Sequence, residues 1–274
     1  ADEFQKYGGE YLFVDEVHKY TSIYKNFDWS AELKNIYDRY PKLKIVYSGS
    51  SIIKLYTGQG DLSRRKNTYH LNGLSFREYL EYNGVLKTDP FDLLTLLNSH
   101  TEIAEEITQK IKILPHFKQY LKTGYYPFYN ENPDQYTQRI QNVINVILES
   151  DISSVASVNY KNIGKIKTML SVLASAAPYT PNLSKLSADI AISDQRTLYK
   201  YLYYLEKAEL ISLLTTSTKA SKRLHKPEKI YLNNPNLFQV LSPKHLEIGT
   251  LRESFFMNQL SYQHTVNYPK KADF

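Results

Sequence analysis

The chain has no cysteine in 274 residues. That absence removes disulfides and thiolate metal sites together, and it suits a cytoplasmic protein. No run of 18 or more apolar residues is present, and no basic stretch leads into an apolar one, so a soluble chain without a membrane or secretory signal is expected. Glycine is also sparse, with ten in all, and none opens a Gly-x-x-x-x-Gly-Lys-Ser/Thr loop. That loop cradles phosphates with its backbone N–H groups. The nearest candidate, Gly164-Lys165, continues into Ile166 and has Asn159 five residues before its glycine. No nucleophile elbow, no dinucleotide-binding glycine pattern and no His/Asp/Glu grouping at metal-ligand spacing is found either.

What is present is a length sufficient for two domains and a hydrophobic content of 42%, enough for ordinary packed cores. The net charge of +6 is uneven. Residues 1–150 hold 18 Lys/Arg against 19 Asp/Glu, and residues 151–274 hold 16 against 9. A polyanionic partner is therefore expected at the C-terminal half. The 25 tyrosines are scattered through every segment rather than clustered with cations, and they read as compositional bias.

The most informative stretch is Tyr11-Leu12-Phe13-Val14-Asp15-Glu16-Val17-His18-Lys19. Four apolar or aromatic residues are too few for a helix and end in two carboxylates. This is the pattern of a buried parallel strand opening onto a site, the form of a Walker B segment. In such a segment the first acid serves the Mg²⁺ shell and the next polarises the attacking water. An apolar run ending in two acids also occurs at ordinary strand-to-loop junctions. Downstream, Trp29, Leu33, Ile36, Tyr37 and Tyr40 fall at helical spacing, with Asp28 or Ser30 as N-cap and Pro41 closing the element. Lys44-Ile45-Val46-Tyr47 then runs into Ser48-Gly49-Ser50-Ser51. A strand–helix–strand unit of this kind makes a parallel pair whose carboxyl ends share one rim. A hydroxyl at that rim either senses a phosphate or caps the next element.

The series Leu-Phe-Val-Asp-Glu-Val-His-Lys, Tyr-Ser-Gly-Ser-Ser, a basic loop with Arg65, Leu-Ser-Phe-Arg-Glu-Tyr-Leu and Lys122-Thr123-Gly124-Tyr125-Tyr126-Pro127 resembles a family of prokaryotic AAA-type ATPases. In that family a P-loop core is followed by a helical lid, a winged helix and a restriction-endonuclease-like domain. The resemblance implies an α/β front followed by a mostly α remainder. It divides the chain into a partial P-loop core at 1–72, a helical lid at 73–160, a winged helix at 161–235 and the start of a nuclease-like domain at 236–274. It further implies ATP and Mg²⁺ as cofactors, Asp15 for the metal, Glu16 as catalytic base, Ser48 and Ser50 as nucleotide-contacting hydroxyls and Arg65 as the arginine answering the γ-phosphate. The chain departs from the family at Arg64, where glycine is usual, and at Tyr125-Tyr126 in the turn before Pro127. The resemblance places the family's phosphate-binding loop upstream of Ala1, so the chain is expected to be truncated and inactive toward ATP by itself.

Beyond the core, apolar stripes at Phe91, Leu94, Leu97, then Ile103, Ile107, Ile111, then Ile140, Val143, Ile144, Ile147 are expected to pack as lid core, with Pro115 and Pro127 at helix boundaries. From Lys165 the pattern is helix, helix, helix, strand, loop, strand, with Ser193 capping the third helix. Leu198, Leu202 and Leu205 on that helix face inward, leaving Arg196, Tyr199, Lys200 and Tyr203 outward. With Lys219, Lys222, Arg223 and Lys226 in the hairpin loop, Arg196 and Lys200 would suit double-stranded DNA, cations meeting phosphates. A protein-contact or lid role stands against this. Glu253 is expected to start a helix, and near the tail it and Asp273 resemble the first acids of a nuclease-like fold, without the lysine needed to complete one. Three readings result: an AAA-type ATPase fragment, a non-catalytic winged-helix DNA-binding regulator, and a defence nuclease visible only in a longer chain. Self-association is left open.

Overall fold

The structure is a computed structural model, and it describes residues 1–19, 28–49, 62, 65–153, 160–216, 226–242 and 247–268. Its residues divide into two compact units, one of residues 1–70 with 146–163, the other of 71–145 with 164–274. The expected lid, winged helix and tail thus contribute most of their residues to one unit.

In the first unit, β1 (Tyr11–Val14) and β2 (Lys44–Tyr47) pair in parallel, Tyr11 opposite Lys44 and Val14 opposite Tyr47. Between them lies α1 (Trp29–Arg39), whose N-terminus is capped by Asp28, its carboxylate accepting from the N–H groups of Ser30 at 3.0 Å and Ala31 at 3.3 Å. The alternation of the strands decides the core. Val14, Ile45 and Tyr47 pack on Val17, Trp29, Leu33 and Leu62. The opposite face is open, with Phe13 71% exposed and Val46 50%. The expectation of a fully buried β1 is therefore corrected: one face is covered by α1, and no described element lies on the other.

The second unit opens with α2 (Phe76–Tyr82). Ser75 and Glu78 form a reciprocal capping box there, each side chain accepting from the other's backbone N–H. It is followed by α3 (Leu93–Lys110), α4 (Ile113–Gln119), a π-helical turn at Tyr120–Gly124 and α5 (Tyr136–Val146). Pro115 lies inside the first turn of α4 instead of marking its boundary, a position where its missing N–H costs nothing. Pro127 opens a 3-10 turn as its first residue. Phe76 meets Phe117, Tyr120 and Phe255 edge-on with centroids 5.3, 5.4 and 6.4 Å away, the geometry aromatic quadrupoles favour. Gly124 is required by close approach: a Cβ there would sit 2.5 Å from the Tyr120 ring and 2.7 Å from that of Tyr79.

The stripes expected to pack as lid core divide. Ile140 and Ile144 are buried, whereas Phe91, Leu94 and Leu97 are exposed at 42, 67 and 66%. The apolar periodicity of α3 predicts a core stripe, but no residue of this helix is buried. Periodicity identifies a face that needs covering and says nothing of what covers it.

Further along, α6 (Tyr160–Ser175), α7 (Leu183–Asp189), α8 (Gln195–Lys207) and the antiparallel hairpin of β3 (Ile211–Leu214) and β4 (Lys229–Leu232) follow in the expected order, and a bridge from Tyr179 to Ile230 adds a third backbone contact. Leu198, Leu202 and Leu205 are buried at 1% exposure or less. The cap of α8 is Asp194, which accepts from the N–H groups of Arg196 and Thr197, and not Ser193; an acid at that point also complements the helix dipole. The last described helix, α9 (Ile248–Ser261), places Glu253 in its interior, where its carboxylate accepts from the Lys229 ammonium at 3.1 Å and the Tyr231 hydroxyl at 2.7 Å. Glu253 is thus a link between α9 and β4 and neither the start of a helix nor a surface acid. Among the described residues, no helix is long and apolar enough to cross a membrane.

One fully buried side chain gathers this unit. The Asn236 Oδ1 accepts from the Tyr125 N–H at 2.8 Å and the Tyr136 hydroxyl at 2.6 Å, while Nδ2 donates to the carbonyls of Tyr120 at 2.9 Å and Leu121 at 3.0 Å. Burial raises the phenol pKa of Tyr120, Tyr126 and Tyr136, so each remains a neutral donor. Removing the amide would strand four buried polar groups at about 1–3 kcal/mol each before relaxation. Asn236→Ala should therefore lower the stability of this unit by at least about 3 kcal/mol in urea unfolding, and a loss below 1 kcal/mol would show that the four bonds are replaceable.

Candidate functional site

Because Val14 stands opposite Tyr47, the residues that follow each strand emerge together: Asp15 and Glu16 after β1, Ser48 after β2. Ser48 stitches the two loops. Its N–H donates to the Val14 carbonyl at 2.9 Å and its carbonyl accepts from the Val17 N–H at 3.0 Å. Its hydroxyl donates to the Asp15 carboxylate and accepts from the Glu16 N–H at 3.4 Å. Glu16 has φ +52°, in the left-handed region that glutamate rarely adopts. Strain of this kind persists where surrounding bonds overdetermine it, and here the Ser48 contacts on either side of Glu16 do so. The turn holds two adjacent carboxylates at the strand ends, with the Glu16 side chain 27% exposed and 3.5 Å from the Lys19 ammonium.

Arg65 is placed elsewhere. Its Nε donates to the Asp38 carboxylate at 2.9 Å and Nη2 approaches the other oxygen at 3.5 Å. Asp38 lies in the last turn of α1, which runs back from the carboxyl end of β1 to the amino end of β2, so this pair sits at the opposite rim from Asp15 and Ser48. The structure brings together Asp15, Glu16 and Ser48, and does not bring Arg65 to them. Ser50 lies outside the described residues. Lys19 and Asp38 received no role from the sequence. Lys19 was discoverable from its three-residue spacing to Glu16, whereas nothing in the sequence pointed to Asp38.

The donor set here is hard oxygen: two carboxylates and a hydroxyl. It fits Mg²⁺, which is commonly held by one or two carboxylates with water and phosphate completing its shell. Among the described residues no group of three or more His, Asp or Glu forms a closed metal cage.

A second group lies on α8. Arg196 and Lys200 are exposed, and the Lys200 ammonium stands 5.7 Å from the centre of the Tyr204 ring. Tyr199 and Lys226 line an open depression of about 510 Å³ together with Asn182, Ser184 and Gln195. Lys219, Lys222 and Arg223 lie outside the described residues, as does Asp273.

The backbone at position 16 gives a direct check of the turn. Glycine adopts positive φ freely, while a β-branched residue in the left-handed region is a steric outlier costing about 1–2 kcal/mol. Glu16→Gly is expected to leave the thermal midpoint of the first unit nearly unchanged, and Glu16→Val to destabilise it by about 1–2 kcal/mol relative to the glycine variant; equal midpoints would mean the turn is not held as described.

Two family models match parts of the chain. Residues 1–80 match the model of an AAA domain. Residues 114–247 match a domain of unknown function, DUF8612. No curated protein and no solved structure matches the chain. The first match covers the acid pair and Ser48 and supports an ATPase-type function with nucleotide binding.

Proposed function

We propose that Asp15, Glu16 and Ser48 form the Walker B and sensor half of a site that hydrolyses ATP. The observation that carries this reading is their meeting at the carboxyl rim of a parallel strand pair, inside the segment that matches an AAA domain. Asp15 would hold Mg²⁺, with Ser48 fixing one carboxylate oxygen and leaving the other for the ion. The ion, when bound with ATP, would neutralise charge on the phosphate oxygens. Glu16 would accept the proton of the attacking water. Its left-handed backbone sets the direction of the carboxylate, and Lys19 holds that carboxylate from one side. Ser48 acts in this reading by ordering both acids as well as by meeting phosphate. Arg65 can answer the γ-phosphate only by giving up Asp38.

In a form that supplies a phosphate-binding loop, Glu16→Gln should lower kcat by about 10²–10⁴-fold, the usual worth of a general base, while ATP binding persists. An unchanged kcat would overturn the assignment of Glu16.

The second reading concerns the C-terminal half. The helix–helix–helix–hairpin order, with Arg196, Lys200 and Lys226 exposed on or near α8, favours a winged helix that contacts double-stranded DNA. If these cations meet phosphates, Arg196→Glu with Lys200→Glu should weaken binding to all duplex sequences alike and reduce the slope of log K against log salt by about 1 for each lost contact. Unchanged retardation across a salt series would remove this reading.

A further inference from the structure

The sequence holds two Asn-Gly steps, Asn72-Gly73 and Asn83-Gly84, and neither the nucleotide site nor the winged-helix reading uses them. Such a step is chemically labile, because glycine has no side chain to shield its backbone nitrogen from the carboxamide carbon of the residue before it. The backbone nitrogen attacks that carbon, and the side-chain nitrogen leaves as ammonia carrying the backbone proton. A cyclic succinimide remains. Water then opens the ring at either carbonyl, giving aspartate or isoaspartate, in which the main chain is one methylene longer. In a folded chain the reaction requires that the side-chain amide can turn onto the nitrogen that follows it.

Burial does not separate the two steps, since both asparagines are half-buried. Hydrogen bonding does. Asn83 caps the C-terminus of α2, where its Nδ2 donates to the Tyr79 carbonyl at 2.6 Å and its Oδ1 accepts from the Tyr129 hydroxyl at 2.5 Å. The Gly84 N–H is engaged as well, donating to the Glu81 carbonyl at 2.9 Å. Electrophile and nucleophile are both held, and the ring cannot close until these bonds break. Asn72 lies in irregular backbone ahead of α2, directly after Leu71 at 96% exposure, and among the described residues its side chain has no hydrogen-bond partner. The Gly73 N–H faces the Tyr125 hydroxyl. At this step the nitrogen is oriented while the amide is free to swing.

The residues after Asn72 have their backbone groups fully engaged. The Gly73 carbonyl accepts from the Tyr262 hydroxyl at 3.2 Å, and the Phe76 N–H donates to the Gln259 Oε1 at 3.1 Å, both at the C-terminal end of α9. Between them the Leu74 N–H donates to the Tyr125 carbonyl at 2.8 Å, and the Leu74 carbonyl accepts from the Tyr120 hydroxyl at 2.7 Å. The fit leaves no slack: a Cβ at Gly73 would stand 2.4 Å from the Tyr125 ring. An extra methylene and a new carboxylate directly before this row cannot be absorbed with every bond kept.

We propose that Asn72 is a site of spontaneous deamidation in the folded protein, and that its isoaspartate product loosens the hold of residues 73–76 on α9. Trypsin separates the two steps by cutting after Lys66, Arg77 and Lys87. After incubation of the folded chain in mildly alkaline buffer, peptide fragmentation and labelling by an isoaspartyl methyltransferase should show conversion at Asn72 at least about ten-fold above that at Asn83, the worth of the hydrogen bonds that Asn83 must give up. In urea the two steps should convert at similar rates. No conversion at Asn72, or equal conversion of both in the folded chain, overturns the proposal. A contrast that persists in urea overturns it too, because the difference would then belong to the local sequence and not to the fold. Limited proteolysis reads the second half: cleavage within α9 should quicken in the aged chain and stay unchanged in an equally aged Asn72→Gln variant, whose longer side chain closes the ring poorly. Equal cleavage of the two would sever the link between Asn72 and α9.

Discussion

The larger of the two units depends on the burial of one amide. Asn236 presents both a donor and an acceptor end, and the segment around it offers two carbonyls on one side and an N–H with a phenol on the other. The carbonyls of Tyr120 and Leu121, in the π-helical turn at Tyr120–Gly124, accept from an amide on a short segment just after β4. Asn234 extends the link, donating to the Tyr126 hydroxyl at 3.1 Å and accepting from the Asn236 N–H. The residues following the hairpin are thereby fixed to the segment 120–136 without any charge, and the tyrosines around them remain protonated because burial disfavours their anions.

The smaller unit works by a different economy. A four-residue parallel pair has few ladder bonds, and its order comes from the layer of Val17, Trp29, Leu33 and Leu62 beneath it. What that layer secures is the level of the two strand ends. A single serine then spans the gap between the ends, and its backbone and hydroxyl together hold a glutamate in a conformation it would not choose alone. Position and chemistry are coupled here: the bonds that fix the acids are the ones that strain the chain.

Much of this was legible in the sequence. The β1–α1–β2 unit follows from two short apolar runs around a helical period, and parallel topology then forces Asp15 and Ser48 onto one rim. The buried stripe of α8 followed from Leu198, Leu202 and Leu205 alone. Other features were not legible, for identifiable reasons. Arg65 reads as a phosphate-directed cation only if no carboxylate claims it, and the rival, Asp38, stands 27 residues away. The stripe on α3 is indistinguishable by period from that on α5, because periodicity records amphipathicity and not the presence of a neighbour. Asn236 gives no signal at all: a polar residue among Pro235 and Leu237 looks like a turn until the groups it joins, 100 and 111 residues upstream, are in place.

The open side of the short sheet carries one more consequence. Phe13 and Val46 stand on the face away from Trp29 and Leu33, 71 and 50% exposed. Large apolar side chains in contact with water are a ready seat for another apolar surface. A lysine at position 13 or 46 would close that seat while Val14, Ile45 and Tyr47 keep their packing beneath the strand ends.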